Sequence, residues 1–191
     1  MRQHADACER SFRFTGCRPL LLLTVAVFGL VSADAQTTAV SEDDLRAAMV
    51  QHLTSFVDWP PAKLDATHLQ FTVCLLGADP IRSALEAAFR NHTVSSKPVV
   101  VQRLSTTDKV DGCHVLYVGG AGRKDLLRLL PALQQASVLT VSERGDAQGQ
   151  VIGLPADDDH VVIQVDLHAA QASRLVISSR LLHLATLVNK Q

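Results

Sequence analysis

Val115-Leu116-Tyr117-Val118, Gly119-Gly120-Ala121-Gly122, Lys124 to Gln135 (KDLLRLLPALQQ) and Val138-Leu139-Thr140-Val141 follow one another with almost no gap. Their reading decides the fold. The first block is a short apolar run of the kind that forms a buried strand. The glycines make a tight strand-to-helix turn. Lys124 to Gln135 reads as a helix, and Val138 to Val141 as the next strand. Strand, helix and strand in that order point to parallel pairing across a helical connection.

The same alternation extends outward. Upstream, Pro98 to Leu104 is a valine-rich strand and Leu69 to Leu76 another. Between them Ile81, Leu85, Ala88 and Phe89 mark a helix. Ahead of these, Ser41 is placed as an N-cap, with Glu42, Asp43 and Asp44 at the positive end of a helix dipole. Leu45, Met49, Leu53 and Phe56 recur at helical spacing, so the pattern predicts an amphipathic helix over 42–57, stopped by Pro60-Pro61. Downstream, Val151-Ile152 and Val161 to Val165 are strands around an Asp157-Asp158-Asp159 turn. Residues 167–188 are helical in pattern, with a break near Val176-Ile177. The expectation is one α/β domain: a mostly parallel sheet, helices on both faces, and an antiparallel edge from the 151–165 pair.

The N-terminus reads as an export signal. Arg2, Arg10, Arg13 and Arg18 precede a twelve-residue apolar run, Leu20 to Val31, and then Ala33-Asp34-Ala35. A membrane span needs about 20 apolar residues, so the run suits a signal peptide over 1–35, cleaved after Ala35, better than an anchor. Residues 36–191 are then the mature domain, with 14 basic and 16 acidic residues. That balance, with no charge run, gives no support to binding nucleic acid or an anionic membrane. Cys74 and Cys113 are the two cysteines left. Export to an oxidising compartment makes a disulfide the default, the alternative being two buried thiols. Neighbouring strands on such a sheet lie close enough to bridge them.

Reactive chemistry finds little footing. There is no CxxC, HExxH or GxSxG, so neither a metal site nor a nucleophile elbow is expected, and no cofactor or catalytic residue is assigned. The histidines are scattered and read as surface or half-buried residues. The glycine cluster lacks the full phosphate-loop pattern and reads as a turn, with an anion contact as the alternative. Two segments stand out. Phe56 to Pro61 carries the sole tryptophan, Trp59, which is either an interface anchor or a lid on the core. Arg174 to Ala185 holds Ser178 and Ser179, which can cap a helix, with Arg174, Arg180 and His183 nearby. It is either an anion pocket around two arginines or a capped helix with solvent-facing arginines.

In order and spacing these segments resemble the YfiR/HmsC family. The likeness rests on Phe56 to Trp59-Pro60, Gly77-Ala78-Asp79-Pro80, Cys113 to Val118, Val138 to Val141, and Ser178 to Ala185. Asp166 stands where the family has Asn, and Gly149-Gln150 where it has Gly-Gly. A second disulfide found in some members is absent. The resemblance implies a periplasmic, non-enzymatic repressor that is often a homodimer. Such a protein binds the periplasmic domain of an inner-membrane diguanylate cyclase of the YfiN type and is antagonised by a YfiB-like outer-membrane lipoprotein. Phe56, Trp59, Arg174, Ser178, Ser179, Arg180 and His183 are the candidate partner- or ligand-binding residues. A small-molecule sensor, binding a nucleotide or amino acid and acting on another receptor, is the alternative function.

Overall fold

A computed structural model describes residues 41–188, apart from 66, 68, 78–79, 106–107, 146–147 and 158–159. The stretch expected to be a signal peptide, the lead-in before Ser41, Ala78-Asp79, Asp158-Asp159 and His68 lie outside the described residues.

The chain forms strands β1 (Val57–Asp58), β2 (Phe71–Leu76), β3 (Thr93–Val94), β4 (Lys97–Leu104), β5 (Val115–Val118) and β6 (Leu139–Ser142). β7 (Ile152–Gly153), β8 (Ala156–Asp157), β9 (His160–Val161), β10 (Gln164–Asp166), β11 (Val176–Ile177) and β12 (Thr186–Val188) follow. The helices are α1 (Glu42–Leu53), α2 (Arg82–Ala88), α3 (Arg123–Gln135), α4 (Leu167–Ala172) and α5 (Ser179–Leu184). Eight strands make one curled sheet in the order β12-β10-β7-β6-β5-β2-β4-β3. β4, β2, β5, β6 and β7 run parallel, with Val73 opposite both Val101 and Val115. This is an α/β domain of the expected class. Its parallel part has the doubly wound order in which the chain reverses direction between β2 and β5.

Side-chain alternation divides the core between the two faces. Phe71, Val73, Leu75, Val115, Tyr117, Leu139 and Val141 meet residues of α1, α2, α4 and α5. Cys74, Leu76, Leu116 and Val118 meet Leu126, Leu129 and Leu133 of α3. Each such buried Leu, Val or Phe contributes about 1.5–3 kcal/mol of apolar burial.

Several sequence expectations shift. α1 stops at Leu53 rather than 57. The Thr54 and Ser55 hydroxyls donate to the carbonyls of Gln51 and His52 at 2.7 Å, and Val57 pairs with Ile177 in β1–β11. Side-chain bonds of this kind compete with helix continuation. The buried face of α1 is Arg46, Ala47, Val50 and Leu53, while Leu45 is 40 % exposed. Small side chains let α1 lie against α2, and Arg46 follows them inward. The antiparallel β7–β10 pair exists but is not the edge, because β12 pairs parallel with β10 beyond it. The 167–188 segment, read as helical, contains β11 and β12 as well as α4 and α5. The α5 helix ends at Ala185, whose extended backbone starts the edge strand. Asp157, read as part of a turn, belongs to β8, which pairs with β9 in a separate ribbon.

Cys74 and Cys113 are joined, with Cα atoms 5.8 Å apart. The bond ties β2 to the entry of β5 on the α3 face. Asp166 caps α4, its Oδ1 accepting from the Ala169 N–H at 3.0 Å. Gln150 is buried and accepts from the Ser142 hydroxyl. Both departures from the family pattern are thus locally satisfied.

A close backbone contact lies where β2 and β5 end. A Cβ on Gly122 would sit 2.4 Å from the Leu76 carbonyl oxygen, and one on Gly77 2.9 Å from the Gly122 nitrogen. Gly122→Ala is expected to cost about 1–3 kcal/mol in urea unfolding, because the obstacle is backbone. An unchanged midpoint would refute the close approach. Cys74→Ser is expected to lose about 4 kcal/mol by loop-closure entropy for a separation of 39 residues. The check compares the parent's midpoint with and without reductant: equal midpoints would mean the bond adds nothing.

Candidate functional site

The two segments singled out in the sequence meet in space. Val57 pairs with Ile177 and Asp58 with Val176, and the Ser178 N–H donates to the Phe56 carbonyl at 2.9 Å. Alternation turns Val57 and Ile177 inward and Asp58 and Val176 outward. Leu181 anchors α5 in the core. Ser178 caps that helix, accepting from the Arg180 N–H at 3.3 Å. Ser179, Arg180 and His183 are exposed, and Phe56, whose carbonyl meets Ser178, is half-buried. Val176 and Leu184 are 63 % and 75 % exposed, unusually open for large apolar side chains.

Trp59 takes the place of the core lid, not of a free anchor. It is 7 % exposed, lies edge-on to Phe71 with ring centroids 5.2 Å apart, and donates from Nε1 to the His114 carbonyl at 3.3 Å. Pro60 and Pro61, directly after it, open the short 3-10 turn Pro61–Lys63 and stiffen the chain there.

Arg174 leaves the group. It closes α4 with a left-handed backbone, φ +56°, and its guanidinium donates to the Gln135 carbonyl at the end of α3. Cations favour that end of a helix dipole. Of the two alternatives, the pocket around both arginines is therefore not assembled, and Arg180 faces solvent. The small-molecule sensor loses one of its two proposed anion ligands.

Two groupings went unread in the sequence. In the first, the glycine turn does meet an anion, but an internal one: the Gly120 N–H donates to the Glu143 carboxylate at 3.1 Å. Arg46 of α1 lies 3.9 Å from the same carboxylate and also pairs with Glu42. In the second, His114 is fully buried, contrary to the surface reading. It stacks on Phe71 at 4.6 Å. Its Nδ1 accepts from the Thr72 N–H at 3.1 Å, which leaves Nε2 to donate to the Lys63 carbonyl, also at 3.1 Å. The only sequence cue was its place next to Cys113 at the mouth of a buried strand.

Lys63 is buried beside this histidine. Its Nζ donates to the Asp111 carbonyl at 2.6 Å. Burial pulls its pKa from 10.5 down to about 8, against the opposing pull of the Asp111 charge. Below pH 8 the lysine is charged in both the folded and unfolded chain, and its burial weakens the fold. Between about 8 and 10.5 only the unfolded chain keeps the proton, so stability rises with pH across that window. From pH 7.5 to 9.5 the parent is expected to gain on the order of 1 kcal/mol more than Lys63→Met in urea unfolding. Identical pH slopes for the two proteins would remove the lysine from this account.

A search of solved structures finds a crystal structure described as a conserved domain protein from Vibrio cholerae O1 biovar El Tor. It shares 10 % identity with a TM-score of 0.51, over 77 % of this chain and 60 % of that one. The chain thus spans less than two thirds of that structure's length, and at this identity the likeness speaks for the fold alone. A search of curated proteins returns no significant match. The YfiR/HmsC-like family description, in contrast, matches residues 43–186, from the first turn of α1 to the start of β12. With the helix–Trp-Pro segment, the β5 cysteine and the Ser-capped α5 all inside that span, the chain belongs to the YfiR/HmsC-like family.

Proposed function

We propose that this protein is an exported, non-catalytic repressor of an inner-membrane diguanylate cyclase. The family match over residues 43–186 carries the reading. Export through a signal peptide cleaved after Ala35 would deliver residues 36–191 to the periplasm. The Cys74–Cys113 bond suits that oxidising compartment. No helix among the described residues is long and apolar enough to cross a membrane.

Repression needs differential affinity: the protein holds the cyclase inactive by binding the inactive form of its periplasmic domain more tightly. The β11–α5 segment offers the contact chemistry, with apolar Val176 and Leu184, cationic Arg180, His183 and the Ser179 hydroxyl on exposed positions. Apolar and arginine side chains at one contact are what partner recognition uses. A YfiB-like lipoprotein would relieve repression by taking the repressor away from the cyclase.

Deleting the gene in its native host is expected to raise cyclic di-GMP. The exported protein should reverse the rise, and a version lacking residues 1–35 should not. Unchanged cyclic di-GMP across growth conditions would sink the proposal. A Val176→Asp/Leu184→Asp double variant, folded and exported normally, is expected to repress at least about tenfold less well, since placing two charges in an apolar contact costs over 1.4 kcal/mol. Full repression by that variant would move the contact elsewhere on the surface.

A further inference from the structure

A short strap crosses the mouth of β5. It runs from Trp59 through Pro60 and Pro61 to Lys63, and three side-chain hydrogen bonds fasten it to residues 111–114. The Trp59 Nε1 donates to the His114 carbonyl at 3.3 Å, the His114 Nε2 to the Lys63 carbonyl at 3.1 Å, and the Lys63 Nζ to the Asp111 carbonyl at 2.6 Å. His114 takes part in two of the three, and histidine is the side chain whose charge ordinarily changes between about pH 5 and 8. Its ring is engaged on the other side as well. Nδ1 accepts from the Thr72 N–H at 3.1 Å, and Phe71 stacks on the ring at 4.6 Å. The Thr72 backbone is firmly held. Its carbonyl accepts from the His114 N–H at 2.9 Å, β2 is paired with β4 and β5, and the Cys74–Cys113 bond stands next to it.

We infer that His114 is an acid-operated latch, whose second ring proton releases the Trp59–Lys63 strap and loosens β1. With Nε2 donating to Lys63, Nδ1 is the nitrogen that would take the proton. A proton there sets one N–H against another, that of Thr72, and turns a hydrogen bond into a repulsion. Because β2 is fixed, the ring must move away from it, toward the side that the strap covers. That movement draws Nε2 from the Lys63 carbonyl and the imidazole from Phe71. The closed form thus binds fewer protons than the open one, and the open fraction rises as pH falls. The charged groups against the latch are Lys63 on the strap and Asp111 on the loop into β5, and their charges attract each other. Lys63 keeps its proton below about pH 8, so its own titration lies outside the acid range. β2 presents Phe71 and Thr72, β6 the Leu139 N–H on the His114 carbonyl, and the strap Trp59, all of them uncharged. Trp59 directly follows Asp58 of β1, and β1 pairs with β11. Opening the strap therefore loosens the segment that presents Val176, and acid weakens the proposed contact. Only this last step rests on the regulatory reading.

Trp59 is the chain's sole tryptophan, so its fluorescence reads the strap directly. Protein purified from the periplasm of an expression host, disulfide intact, is taken from about pH 7.5 to about pH 5. The parent is expected to show a reversible red shift of Trp59 emission and about threefold or more easier quenching by acrylamide, with its far-UV circular dichroism unchanged. His114→Asn keeps an acceptor for the Thr72 N–H, and His114→Gln keeps a donor for the Lys63 carbonyl. Neither side chain takes the proton, so both variants are expected to hold their emission across the range. Nitrogen NMR of the parent's histidine rings carries the test where neither variant folds: His114 must gain its proton over the pH range in which the emission moves. An unmoved emission in the parent, the same red shift in either variant, or a shift that comes only with loss of the whole fold overturns the latch. In the native host, repression by the parent is expected to fall at least about threefold at the lower pH, and repression by His114→Asn to hold. A parent that opens in vitro yet represses equally at both pH values overturns the link to the contact segment. Failure of the regulatory reading shows separately, as no rise of cyclic di-GMP on deletion at the higher pH.

Discussion

The junction of β2 with β5 holds this molecule in register. Four kinds of contact act on it within a few residues. The Cys74–Cys113 bond crosses it, and His114 bonds Thr72 twice, through its own N–H to the Thr72 carbonyl at 2.9 Å and through its ring from the Thr72 N–H. Phe71 stacks on the same imidazole, and Gly122 presses on the Leu76 carbonyl at the far end. A slip of one residue would turn every core side chain of the strand to the wrong face. The chain reverses its direction across the sheet at this junction, so strands on both sides take their register from it.

The crevice beyond the junction is where doubly wound sheets commonly hold a ligand. Here the protein fills it from within. Gly77 and Gly122 leave no space for a side chain between them, and Glu143 takes the Gly120 N–H that a bound anion would otherwise attract. Exposed large apolar side chains lie instead at the periphery, Val176 and Leu184 on the β11–α5 segment among them. A rigid centre with recognition at the rim suits a protein whose partners are other proteins, which is the reading adopted for this member of the YfiR/HmsC-like family.

Legibility in the sequence followed the range of the interaction. The βαβ unit at 115–142 was read to within a residue or two, because apolar runs and glycines act locally. The N-cap of α1 was read for the same reason: Ser41 and Asp44 are three residues apart. α1's inward face was not. Leu45 and Met49 fit the helical period as well as Ala47 and Val50 do, and close packing on α2 chose the smaller pair. The 167–188 segment misled more seriously, since the two- and three-residue strands β11 and β12 have no periodicity of their own. They exist because β1 and β10 lie alongside.

The candidate site divides along the same line. Phe56, Trp59 and Ser178 to His183 stood out by composition, and the structure brings the two segments together through β1 and β11. Arg174 stood out equally and goes elsewhere, because the left-handed residue that ends α4 aims it at α3. By itself the sequence determined the α/β class and the position of most of the longer strands, and made a Cys74–Cys113 bond the default that the structure bears out, all consequences of local pattern or simple count. Tertiary structure alone decided that Trp59 is buried, that His114 and Lys63 lie in the core, that Glu143 meets the glycine turn, and which strands form the edges. Each of those depends on residues 20 to 100 positions apart meeting across the sheet, and no local pattern encodes such a meeting.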